Sequence, residues 1–83
     1  MKPERQALMR EIVTLLQAIA PELESDTLEP QRPLRQQLDL DSMDWLNFLL
    51  SLHQRFKIDI PESDYAQLIS LNNVVDYVSA KLA

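Results

Sequence analysis

Hydrophobic positions recur along this chain at helical, not strand, spacing. Leu8, Ile12, Leu15, Leu16 and Ile19 follow one another at i, i+4, i+7, i+8 and i+11, which predicts an amphipathic helix from about Pro3 to Ile19. Pro3 suits a first helical turn, and Pro21 stops the pattern because a residue preceding proline is disfavoured in helical geometry. From about Pro21 to Leu40 the periodicity is lost. This stretch holds Pro21, Pro30 and Pro33 with the acidic residues Glu22, Glu24, Asp26 and Glu29. It reads as a long loop with a short helical turn expected over Leu34–Leu38, and so long a loop in a small domain usually signals function or a long crossover.

Periodicity returns over Ser42–Phe56, with Asp41 or Ser42 as candidate N-cap, Asp44 completing an imperfect capping box, and Arg55 and Lys57 suited to the C-terminal end. At 100° per residue, Trp45, Phe48, Leu49, Leu52 and Phe56 share one broad face, whereas Asp44, Asn47, Ser51, Gln54 and Arg55 share the other. Met43, Leu46 and Leu50 form a second apolar line between the two. That line is either the edge of a wide core stripe or a surface strip that a partner helix covers. Ile58 to Pro61 reads as an extended connector and Glu62 to Leu68 as a short helix. Ser70 caps a last helix that carries Leu71, Val74, Val75, Val78 and Leu82 on one face. Three β-branched valines lower its intrinsic propensity, so packing must hold it. The expected fold is all-α: a four-helix bundle of three main helices and a short third one, with a long loop between the first two.

Composition narrows the chemistry. The 83 residues are enough for one small domain, residues 1–83. There is no cysteine, which removes disulfides, thiolate catalysis and zinc–sulfur sites, and no glycine, which removes glycine-rich phosphate loops. One histidine, His53, cannot build a multi-histidine metal site. No apolar run reaches membrane-spanning length and the charged start lacks the core of a secretory signal, so a cytoplasmic protein is expected. The net charge is −5, and the basic residues are scattered without a patch, which argues against nucleic acid as a partner.

Ser42 is the residue on which the functional reading turns. A serine at a helix start is commonly a cap. The same position also favours a covalently held phosphate, because free amides and the positive end of the helix dipole stabilise negative charge. Asp41 and Asp44 flank it and read either as cap and dipole compensation or as help in holding a metal-bound donor. A hydrolase is disfavoured: His53 lies eleven residues on, roughly 16 Å by helical rise, too far to act as base. His53 reads as a boundary residue facing a partner.

Leu38-Asp39-Leu40-Asp41-Ser42-Met43-Asp44 resembles the phosphopantetheine attachment motif of acyl carrier proteins, roughly Leu-Gly-x-Asp-Ser-Leu/Met-Asp. In register behind it, Phe56-Lys57-Ile58-Asp59-Ile60-Pro61-Glu62 and Leu71 to Val78 are similar to the family's connector and last helix. The resemblance implies that Ser42 carries a 4′-phosphopantetheine arm, added from coenzyme A by a Mg²⁺-dependent transferase. It also implies that the chain is no enzyme but a monomeric carrier of acyl thioesters for acyl-activating or acyl-transferring enzymes of fatty acid, lipid or polyketide-type metabolism. An aminoacyl or D-alanyl carrier is a close variant, and an unmodified helical adaptor is the competing class. The chain departs from the family pattern at Asp39, where glycine is usual, and at Trp45, where a smaller residue is common. Asn47, His53, Gln54 and Arg55 stand where glutamates are frequent. These departures suggest a specialised carrier docked through Met43, Leu46 and Leu50, with Asn47, His53 and Gln54 at the rim.

Overall fold

The computed structural model describes residues 4–82, so the start placed at Pro3 lies outside the described residues. Helix α1 spans Arg5–Ile19, α2 Leu34–Gln37, α3 Ser42–Phe56 and α4 Leu71–Leu82; 3₁₀ segments occupy Ser25–Thr27 and Glu62–Gln67. The three long helices and the long first connection match the expected bundle. The expected short third helix is present as the 3₁₀ segment over Glu62–Gln67, started by Pro61.

The helices form where the sequence places apolar stripes. Leu8, Ile12 and Leu16 of α1 are fully buried against Phe48 and Leu52 of α3 and Val74, Val75 and Val78 of α4. Leu15 and Ile19 are only half-buried, which corrects their place in the predicted core. Helix α1 is wedged between α3 and α4, and a single row of its side chains fills the seam while the flanking rows border it. Phe56 is likewise half-buried at the end of the α3 stripe. The valines of α4 are wholly enclosed, so packing offsets their modest helix propensity.

Polar side chains set the start of α4 and the shape of the long loop. Ser70 Oγ accepts the Asn73 N–H at 3.2 Å and Asn73 Oδ1 accepts the Ser70 N–H at 3.1 Å, a reciprocal capping pair with asparagine in the usual glutamate place. The backbone N–H groups of Leu34 and Asn72 donate to the carbonyls of Ile69 and Pro30, at 2.9 and 3.0 Å, pinning the loop to the start of α4. Gln37 closes the loop on itself. Its Nε2 donates to the carbonyls of Glu29 and Arg32, at 2.8 and 2.9 Å, while its Oε1 accepts the Glu29 N–H at 2.9 Å. The proline-rich stretch is therefore a fixed strap that sets where α2 ends.

Candidate functional site

The site is built by the turn joining α2 to α3. Helix α2 closes with Asp39 in the left-handed region, φ 53°, and the Leu40 N–H donates to the Arg35 carbonyl at 3.0 Å. This six-to-one bond is a Schellman termination, with aspartate in the position that glycine favours. The turn buries Leu40 and delivers Asp41 in extended geometry. Asp41 Oδ1 then accepts the Asp44 N–H at 2.8 Å, so Asp41 is the N-cap of α3. That settles the choice between Asp41 and Ser42: Ser42 is the first residue of the helix and its side chain makes no cap. By helix geometry the amides of Ser42 and Met43 have no acceptor within the helix, so positive partial charge stays at the serine.

Ser42 is exposed. Among the described residues, the one side chain hydrogen-bonded to its hydroxyl is Arg35, whose Nη2 donates to Ser42 Oγ at 3.4 Å. Arg35 also donates from Nε to the Leu40 carbonyl at 3.5 Å and forms no ion pair with a carboxylate among the described residues. A permanently charged guanidinium cannot accept a proton. His53 is committed elsewhere: its Nδ1 lies 2.7 Å from the Ile58 carbonyl, an acceptor, so Nδ1 carries the proton and the ring ties α3 to the connector that follows. Among the described residues no base is hydrogen-bonded to the hydroxyl, which leaves a self-contained serine nucleophile without an activating partner.

Two surface grooves border α3. One, of about 510 Å³, is edged by Arg35 and floored by Leu40, Trp45 and Leu68. The other, of about 430 Å³, lies between α3 and the connector and is lined by Leu46, Leu50, His53, Ile60 and Tyr65. Met43, Leu46 and Leu50 are 67%, 46% and 51% exposed, which decides between the two readings of that line: it lies outside the core. Asn47, His53 and Gln54 are exposed around it and Asp44 is half-buried. Structure thus gathers Ser42, Asp41 and Asp44 at the helix start and strings the expected docking residues along the same helix. It adds Arg35, which sequence reasoning left among scattered basic residues. Seven positions separate Arg35 from Ser42, and only the left-handed turn at Asp39 brings them together.

These features fit a phosphodiester-linked group: an exposed hydroxyl, a helix N-terminus freed of side-chain capping by the serine itself, an unpaired cation, and adjoining grooves with apolar floors. Comparison with known proteins agrees. Residues 13–78 match the family model described as the phosphopantetheine attachment site. The acyl carrier protein of Campylobacter jejuni strain RM1221 is 30% identical over 56 residues, covering 68% of this chain and 73% of that protein. The acyl carrier protein of Campylobacter hominis is 30% identical over 70 residues, 84% of each chain. The solution structure of a candidate acyl carrier protein from Anaplasma phagocytophilum superposes with a TM-score of 0.82 over 92% of this chain and 89% of its own; at 20% identity this speaks to the fold alone.

Proposed function

The chain belongs to the acyl carrier protein family, whose members are carriers with a covalent 4′-phosphopantetheine group and not enzymes, and from that premise we propose that Ser42 is the attachment point. The observation that carries this is the division of labour at the start of α3: Asp41 takes the capping bond, which leaves the Ser42 hydroxyl exposed at the helix N-terminus. When bound, the group supplies the thiol that a chain without cysteine lacks, and an acyl cargo is held on it as a thioester.

Loading joins Ser42 Oγ to the pantetheine-bearing phosphorus of coenzyme A. The pyrophosphate P–O bond breaks, adenosine 3′,5′-bisphosphate departs, and the hydroxyl proton is lost. No base is hydrogen-bonded to Ser42 among the described residues, so the transferase would supply the proton acceptor; Asp41 and Asp44 are the carboxylates that would flank a Mg²⁺-bound donor, the ion neutralising charge on its phosphates. The carrier's own contribution is positional: a fixed hydroxyl at a positive helix end.

Residues 1–83 act as one carrier domain, a cytoplasmic monomer serving acyl-activating or acyl-transferring enzymes of fatty acid, lipid or polyketide-type metabolism. Partners dock on the strip of Met43, Leu46 and Leu50, with Asn47, His53 and Gln54 at its rim. The exposure of three large apolar side chains on one helix supports this, since isolated apolar residues need no explanation but a contiguous line does. The strip is poor in acid beyond Asp44, which favours a specialised enzyme set that reads shape more than charge.

The test is intact mass after incubation with coenzyme A, Mg²⁺ and a broad-specificity phosphopantetheinyl transferase. A gain of one arm, abolished by Ser42→Ala, is the expected result. No gain with several transferases would leave a helical adaptor as the better reading. For docking, Met43→Glu with Leu50→Glu should permit folding but impair turnover by acyl-handling partners; unimpaired turnover would remove the strip from the interface.

A further inference from the structure

We infer that Arg35 is a phosphate-binding residue of this carrier: its guanidinium closes on the phosphodiester formed at Ser42 and anchors the root of the arm. The inference rests on the Ser42 attachment reading and goes beyond it, because nothing in the attachment motif itself includes a position seven residues upstream.

Three observations converge. Arg35 Nη2 lies within 3.4 Å of Ser42 Oγ, the atom that bears the phosphorus once the arm is attached. Its Nε is held on the Leu40 carbonyl, so the planar fork is oriented toward the hydroxyl before any phosphate arrives. Among the described residues it has no carboxylate partner, whereas Arg5, Arg32 and Arg55 are paired with Asp76, Glu29 and Glu11 respectively; Arg10 also lacks a carboxylate but bonds the Gln6 carbonyl and makes no contact with Ser42. A free guanidinium in a setting of carboxylates is informative. Asp39, Asp41 and Asp44 lie within three residues of Ser42, and a phosphodiester adds a further negative charge among them. Arg35 is the cation whose contact with Ser42 is in place to offset it, and two parallel N–H donors match two phosphate oxygens. The fixed strap through Gln37 and the turn at Asp39 keep α2, and so Arg35, beside the helix start.

A purely structural role is the competing explanation, since Arg35 also holds the Leu40 carbonyl. Two readouts separate them. The first is the thermal midpoint of apo and loaded protein for wild type, Arg35→Gln and Arg35→Lys, with loading checked by intact mass. A structural role moves the apo and loaded midpoints alike and leaves their difference unchanged. Phosphate binding appears in the difference between loaded and apo forms: a rise of roughly 2–4 °C in wild type, lost in Arg35→Gln, partly retained in Arg35→Lys, and reduced by high salt. The second readout needs no variant. In ¹⁵N-labelled wild type, the Arg35 guanidinium resonances should shift and exchange more slowly with water on loading, with a coupled change at ³¹P. Loaded protein whose Arg35 resonances stay at their apo positions, or an Arg35→Gln difference equal to that of wild type, overturns the assignment. Wild type that takes up no arm fails at the mass measurement and overturns the attachment reading with it.

Discussion

Asp41 Oδ1 accepts the backbone N–H of Asp44 at 2.8 Å, and this bond frees Ser42 from structural duty. It makes the two neighbours opposite in their mutational behaviour. Asp41→Ala removes a cap and should cost about 1 kcal/mol, within the usual range of about 0.5–2, or roughly 4–8 °C in an 83-residue domain. Asp41→Asn keeps the acceptor and should lie near wild type. Ser42→Ala alters an exposed first-turn residue and should stay within about ±0.5 kcal/mol in the unmodified protein. Urea unfolding of the three variants decides it. A Ser42→Ala cost near that of Asp41→Ala would mean that the serine is the cap after all.

The long helices were legible because their apolar stripes are regular. Leu8, Ile12 and Leu16, Phe48 and Leu52, and Val74, Val75 and Val78 sit where period 3.6 puts them. The strip of Met43, Leu46 and Leu50 was visible as a pattern but ambiguous, because whether a border line is buried depends on which neighbour comes to cover it. The strap was illegible for a different reason. Gln37 binds Glu29 and Arg32 through side-chain contacts that no periodicity announces, and Arg35 reaches Ser42 across a turn made by a left-handed aspartate. The capping choice between Asp41 and Ser42 was equally hidden, since both residue types cap well and only the position of the first helical turn separates them.

Asp39 and Lys57 are the non-glycine residues with positive φ among those described, at 53° and 55°. Each terminates a helix, α2 and α3 respectively. An L-residue in this region is penalised by about 1–2 kcal/mol, while glycine gives back about 0.4–1 through the freedom of the unfolded chain. Asp39→Gly and Lys57→Gly should therefore each stabilise the protein, by roughly 0.5–1 kcal/mol as the difference between those terms. Because the sites lie at opposite ends of α3 and share no partner, the double variant should be additive. Alanine at either position should not stabilise. A destabilised glycine variant, measured by chemical unfolding, would show that the side chains hold these turns by contacts of their own.

Trp45 is a core residue of α3 packed beside Phe48. It is 7% exposed, its ring centroid lies 5.3 Å from that of Phe48, and it floors the groove that begins at Arg35. Tilted aromatic pairs of this kind add to the burial gain. Trp45→Ala should cost about 3–5 kcal/mol, a large share of the total for a domain of this size. Trp45→Leu should fall between the two. Differential scanning calorimetry gives the values, and a loss under about 1 kcal/mol would show that the site collapses onto the gap.

Tyr77 couples the last helix to the 3₁₀ segment and sets the alkaline limit of that contact. Its hydroxyl donates to Asp64 Oδ2 at 2.7 Å, with Lys81 Nζ 5.4 Å from its ring centroid. Burial raises the phenol from 10.0 to about 12, and the hydrogen bond to Asp64 and the charges of Asp64 and Asp59 act in the same direction. The folded value exceeds the unfolded one, so the unfolded state gives up its proton first. The stabilisation is present in full below pH 10 and is lost as pH rises from 10 toward 12. Tyr77→Phe should lower stability modestly at neutral pH, by about 1 kcal/mol or less, as expected for one hydrogen bond at a partly exposed site. It should also flatten the fall in stability across the alkaline window relative to wild type. Stability measured by urea unfolding at neutral pH and at steps between pH 10 and 12 checks both parts. Parallel curves for the two proteins across that window would show that the phenol is not the group responsible.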